Sequence, residues 1–203
     1  MMFSSCIKDP VLPAAEPSAD LYSNFYAEIN GAAFELTENV VGYTNVTTKE
    51  QVFAISPDFS TAAYFSAMSS PSVFTSVKVG LGSVSWNANV SSDPSLAVFN
   101  DFMLTNTVPA YSDSALIGFE FTYTGADERE WKSSELSLNI QDVEFTGIDQ
   151  VSDATGDYSS FTCSFNCYAY SLNLDSLAIL PIAVNHIDSI SIENAVYQGW
   201  FKR

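Results

Sequence analysis

From Asn24 onward, apolar and polar residues alternate with a period of two along most of the chain. Such alternation places one face of a β-strand inside and the other in water. Phe25, Ala27 and Ile29 form the first row, and Asn30-Gly31 follows it. Both residues of that pair tolerate positive φ, which predicts a two-residue hairpin with Phe34 and Leu36 on the return strand. Short strands are expected over 52–55 and 62–65. Longer rows run through Val73, Thr75, Val77, Val79 and Leu81, through Ile117, Phe119, Phe121 and Tyr123, and through Leu136, Leu138 and Ile140. Phe161, Cys163, Phe165 and Cys167 make another row. Tyr168, Tyr170, Leu172 and Leu174 then take the opposite phase, which predicts a bulge or a two-sided strand. Ile190 and Ile192 lead to a last strand over 195–201.

One segment has a helical period. Leu96, Phe99, Phe102 and Met103 are spaced by three and four after Asp93-Pro94. Asp as N-cap and Pro in the first turn predict a short helix over 94–104. About ten strands, turns at short intervals and this helix point to an all-β fold: an antiparallel β-sandwich, immunoglobulin-like or jelly-roll-like, over residues 24–203.

Composition narrows the function. The 203 residues suit one domain plus a tail. Seven Lys and Arg against 24 Asp and Glu give a formal net charge of −17. Phosphate binding needs clustered cations, so nucleic acid is excluded as a partner, and electrostatic docking on an anionic membrane is disfavoured. Only 15% of residues are charged and 14% are aromatic, a chain that folds rather than an acidic disordered one. The one histidine, His186, leaves no room for multi-His metal sites and most His-based catalysis; a surface or capping role suits it. The longest uncharged stretch, 59–77, is broken by Pro71 and by serines and does not read as a membrane-spanning helix.

The chain opens Met-Met-Phe-Ser-Ser-Cys, which resembles the end of a bacterial lipoprotein signal. Only Met1 to Ser5 precede Cys6, without the charged and apolar regions of a whole signal. Residues 1–6 are therefore expected to be a remnant of such a signal, with Cys6 acylated. Residues 7–23 carry Pro10, Pro13 and Pro17 among Ala and Ser, the composition of a flexible tether. An acyl chain would supply the membrane affinity that the acidic body lacks.

The body adds a second resemblance. FYAEINGAAFEL opens like the first hairpin of small envelope lipoproteins of Bacteroidota, the flavobacterial type, and AVFNDFML is similar to their short Phe-rich helix. FEFTYTGADEREWKS resembles a strand, an acidic turn and a Trp-Ser return, with Asp127-Glu128-Arg129 where Asp-Gly is expected. YSSFTCSFNCYAY resembles a core strand and SISIENAVYQGWF a closing hairpin. The resemblance implies a β-sandwich and an envelope address, and brings no catalytic residues.

Candidate chemistry is sparse. On one regular strand Cys163 and Cys167 lie about 13 Å apart, whereas a disulfide needs Cα atoms within about 7 Å. They pair only if the strand turns at Ser164-Phe165-Asn166; otherwise they are two buried thiols. Zinc would need further Cys or His ligands that are not nearby. Asp142, Glu144, Asp149, Asp153 and Asp157 thicken one stretch, and Asp149, Asp153 and Asp157 are weak Ca²⁺ candidates without EF-hand spacing. The plainer reading is a solvated acidic loop, as for Asp127, Glu128 and Glu130. Carboxylate pairs can hydrolyse glycosides only across a cleft. Trp86, Trp131 and Trp200 could stack on a sugar or peptide, or fill the core. Ser114, Ser176 and Ser189 lie in Asp-Ser-apolar triplets that resemble the O-glycosylation acceptor of Bacteroidota. Asn45 and Asn89 match the eukaryotic N-glycosylation sequon, idle in a bacterium.

The expected function is thus a lipid-anchored, non-enzymatic envelope protein with a binding or structural role. Its partners would be a membrane, through the lipid, and a glycan, peptide or envelope protein. No cofactor is expected beyond Ca²⁺. A secreted adhesin or type IX secretion cargo, and an Asp/Glu glycoside hydrolase, are the alternatives.

Overall fold

The alternating rows pair into one curled antiparallel sheet. The structure, a computed structural model, describes residues 18–55, 58–172 and 187–203. Its strands are β1 (Asn24–Ile29), β2 (Ala32–Thr37), β3 (Thr44–Val52), β4 (Ser60–Ser70), β5 (Val73–Trp86), β6 (Phe119–Thr124), β7 (Glu130–Ser133), β8 (Asp142–Asp153), β9 (Gly156–Leu172) and β10 (Ile187–Lys202), with one helix, α1 (Leu96–Thr105). Their order is β2-β1-β10-β9-β7-β6-β5-β4-β3, and β8 also pairs with β9. Most neighbours are consecutive in sequence, so the sandwich-like fold is built from meanders, with the first hairpin joined to the last strand. That hairpin turns as the sequence predicts: Asn30 and Gly31 take φ of 50° and 77°.

The sheet folds over a core of aromatic rings drawn from both layers. Phe25 on β1 stacks on Phe121 of β6 at 5.9 Å, and Phe121 meets Phe165 of β9 at 4.8 Å. Pairs like these add about 0.5–1.5 kcal/mol each beyond the area they bury. The inward row of β9 is the predicted one, Phe161, Cys163, Phe165 and Cys167, all buried. It continues through Ala169 and Ser171, while Tyr168 and Tyr170 sit half-buried on the other face. β9 is therefore two-sided.

The bulge lies in β10. Its pairing with β9 shifts between Ile192 and Ala195, with Asn194 at φ 51°. The extra residue flips the parity, so Ile190 and Ile192 point inward and so do Ala195, Tyr197 and Phe201. What resembled a closing hairpin is one long bulged strand.

Four other expectations change. The strand expected over 52–55 is β3, which ends at Val52; Phe53 and Ile55 lie beyond it, exposed. The inward side chains of β3, such as Asn45, Thr47 and Lys49, are polar and half-buried, so no apolar period marked it. The acidic stretch is not a loop but the β8–β9 hairpin: Val143 and Phe145 enter the core and the acids beside them occupy the outer face. The helix begins later than expected. Ser95 is the N-cap, accepting from the Val98 N–H, because Asp93 is drawn away to Lys49 and Gln51 of β3. Finally, Glu128 in the acidic turn takes φ of 64°, the left-handed conformation a glycine would supply there.

The last residues of the expected tether lie against the body. Ser23 is fully buried and bonds Glu38, and the Ala19 N–H donates to Asp153 Oδ2 at 2.9 Å. Cys6 lies outside the described residues.

Candidate functional site

The row Leu136, Leu138, Ile140 predicts a strand, and the structure puts a loop there. β7 pairs with β9 through Ser133 and Ala169, and β8 pairs with the same edge of β9 through Asp142 and Asn166. Residues 134–141 leave and rejoin that edge within a short span, so they must project from the sheet and find no strand edge to pair with. Local bonds hold them instead. The Ser134 and Ser137 hydroxyls accept from the Leu136 and Asn139 N–H groups, turns that compete with strand formation. Tyr170 Oη donates to Ser137 Oγ, Gln141 Nε2 to the Ser134 carbonyl, and the Glu135 N–H to Asp113 Oδ1. A pinned loop thus carries three bare apolar side chains: Leu138 is fully exposed and Ile140 is 91% exposed.

Two open grooves flank the foot of this loop. One, of about 550 Å³, is lined by Val108, Tyr111, Gln141, Asp142 and Glu144 among others. The second, of about 480 Å³, runs past Asn139, Ile140, Asp142, Asn166, Tyr168 and Glu193. Segment 107–112 forms the outer wall of the first: the Phe145 N–H donates to the Thr107 carbonyl, and Tyr111 Oη donates to the carbonyls of Asp142 and Asn166. Burial pushes the Tyr111 hydroxyl well above its ordinary pKa, so it stays a donor. Across the floor, polar side chains link four strands. Asn166 Nδ2 donates to Asp142 Oδ1, the Asn194 N–H to Asn166 Oδ1, and Asn194 Nδ2 to Glu28 Oε1. The β10 bulge supplies Asn194 to this ladder and places Glu193 in the second groove.

The structure brings few of the expected site residues here. Trp86 is buried in the core, its Nε1 donating to the Ser91 carbonyl at 3.0 Å, and is corrected from a stacking surface to a core residue. Trp131 has the Arg129 guanidinium 4.3 Å over its ring, and Trp200 is half-buried on β10; neither lines a groove. Among the described residues no three acids, histidines or cysteines converge as metal ligands. The weak Ca²⁺ candidates are otherwise engaged or apart. Asp153 caps the β8–β9 turn, held down to about pKa 2 by the N–H of Ala19 and by the hydroxyl and N–H of Thr155. Asp157 pairs with Arg203 and Ser152, and Asp149 lies outward on β8. Ser114 caps a turn and Ser189 is exposed within β10, whereas Ser176 and His186 lie outside the described residues.

Cys163 and Cys167 are free and buried on a stretch of β9 that does not turn, so the bridged alternative is corrected: the two thiols stay apart. Burial raises both pKa values, that of Cys167 to about 12. We expect neither to react with a thiol reagent at pH 8 in a folded Cys6→Ser protein, and both to react in denaturant. Labelling of the native form within minutes would contradict this burial.

No protein-family model, curated protein or solved structure matches this chain. Tyr111, Gln141, Asn166 and Glu193 carry no motif that sequence reasoning could have used; the one available signal was the apolar row 136–140 bounded by serines.

Proposed function

We propose that the protein is a non-enzymatic binding module of the cell envelope, anchored through an acylated Cys6, and that it docks a partner protein or peptide at the 134–141 loop and its grooves. One observation carries the docking reading. Leu136, Leu138 and Ile140 stand bare on a loop that hydrogen bonds already hold in shape. Clustered exposed apolar side chains mark interaction sites, and a pre-ordered loop loses little entropy on binding. The envelope address rests on the Cys6 context, the Pro/Ala tether and the resemblance of the strands. Ala19 is held at Asp153, the far end of β8 from Asp142. At about 3.3 Å per residue that is roughly 35 Å, so a tether leaving Ala19 would let the grooves face away from the membrane.

Metabolic labelling with an alkyne fatty acid in the native host tests the anchor. Label is expected on the wild-type protein and none on Cys6→Ala; no label on either overturns it. Leu138→Asp tests the docking loop. It should abolish a specific envelope cross-link while leaving the melting temperature unchanged, and a cross-link that survives overturns the site.

A second reading, an inverting glycoside hydrolase, has one observation in its favour. Asp142 on β8 and Glu193 on β10 line the same groove from strands two spacings apart, about 10 Å, near the separation such carboxylates need. Release of reducing sugar that disappears in Asp142→Asn would move the assignment to that class.

A further inference from the structure

The charges around the loop name the chemistry of its partner. This inference rests on the proposed docking reading. Asp142 and Glu144 line the first groove, Asp142 and Glu193 the second, and among the described residues no Lys or Arg lines either. The Glu144 and Glu193 carboxylates form no hydrogen bond or ion pair among the described residues, and the Asp142 carboxylate accepts only from the Asn166 amide. No described cation reaches them. Among the described residues Lys49 pairs with Asp93, Arg129 with Asp188, Lys132 with Glu130 and Arg203 with Asp157. Lys78 sits over the Phe65 ring and Lys202 over that of Tyr158. Every described cation is engaged elsewhere, so these carboxylates are open to a cation brought by a partner.

We infer that the occupant is a basic, apolar segment of a partner protein, crossing both grooves in extended form, with its apolar side chains against Leu138 and Ile140 and its Lys or Arg side chains at Asp142, Glu144 and Glu193. A second copy of this chain fits poorly: it would set the same carboxylates against each other on a body of net charge −17. Electrostatic complementarity of this kind selects the partner and speeds encounter more than it adds affinity. The apolar contacts therefore hold the segment, and the acids choose it.

Three peptides of about ten residues, a strand's length, test this: one alternating Lys and Leu, one Ser and Leu, one Glu and Leu. Titrated against the full chain by isothermal calorimetry and NMR, the Lys/Leu peptide should bind, shifting resonances at 108–111, 138–144 and 164–168. The Ser/Leu peptide should bind about tenfold more weakly, the sum of three modest exposed pairs, and the Glu/Leu peptide not at all. The triple variant Asp142→Asn, Glu144→Gln, Glu193→Gln should erase the preference for Lys, and 1 M salt, where screening acts within about 3 Å, should do the same. Equal binding of the Ser/Leu and Lys/Leu peptides overturns the charge assignment and leaves the docking loop standing. No binding by any peptide, or binding that Leu138→Asp leaves intact, overturns both. A loss of several degrees of melting temperature in Leu138→Asp also overturns both, because it would show the loop to be covered within the chain itself.

Discussion

Replacing Phe165 by alanine should lower stability by about 4 kcal/mol. The ring is 1% exposed and touches three others, Phe121 at 4.8 Å, Phe119 at 5.6 Å and Phe25 at 6.3 Å. β9 is hydrogen-bonded on both sides at this level, to Val143 of β8 and Ala195 of β10. Neither neighbour can slide in to fill the space, so a cavity would remain. Urea denaturation should show a lower midpoint with an unchanged slope, the signature of lost stability without a changed denatured state. Phe165→Leu keeps most of the volume and should cost about 1.5 kcal/mol; it gives a reading even if the alanine variant fails to fold. A loss under about 1 kcal/mol in Phe165→Ala would mean that the two layers do not meet at this ring.

Asn45→Leu should cost about 2–3 kcal/mol, for a different reason. Asn45 stands on the edge strand β3, and its Oδ1 accepts from Tyr197 Oη at 2.6 Å and from Ser66 Oγ at 2.9 Å. The two hydroxyls also touch each other at 3.0 Å, and Asn45 Nδ2 reaches the Trp200 carbonyl at 3.5 Å. This cluster ties β3 and β4 to β10 across the open side of the curl. Tyr197 is fully buried, which raises its hydroxyl pKa and keeps it a donor that must find an acceptor. A double-mutant cycle with Tyr197→Phe separates the terms. Losing both polar groups should cost less than the sum of the single losses, because the Tyr197 hydroxyl is then not left as a stranded donor. Strict additivity would show that the cluster is not a unit. The same bonds turn the Asn45 amide inward, away from any role as a sequon acceptor.

Much of the fold was readable from side-chain period. The row Phe161, Cys163, Phe165, Cys167 and the Asn30-Gly31 turn are local facts: alternation and tolerance of positive φ do not depend on distant residues. β3 carries no apolar period over most of its length, because Asn45, Thr47 and Lys49 face inward as polar groups with distant partners, such as Tyr197 and Asp93. β8 was hidden by its own outer face, whose acids outnumber its two buried side chains, Val143 and Phe145. The converse holds at Leu136, Leu138 and Ile140. Their alternation is as good as that of any strand in the chain, but β9 has no free edge left between β7 and β8. A strand needs a partner, and the period of a sequence says nothing about whether one is vacant.

The candidate site divides in the same way. The sequence alone determined an antiparallel all-β body, its aromatic interior and a shortage of cations. These are properties of spacing and counting. It also held the bare apolar row of the loop without revealing that it would stay bare. Only the tertiary structure decided that Asp142, Asn166, Glu193 and Tyr111, far apart in the chain, converge beside that row. Strand order and the β10 bulge brought them together, and both depend on which edges pair across long separations rather than on any local preference.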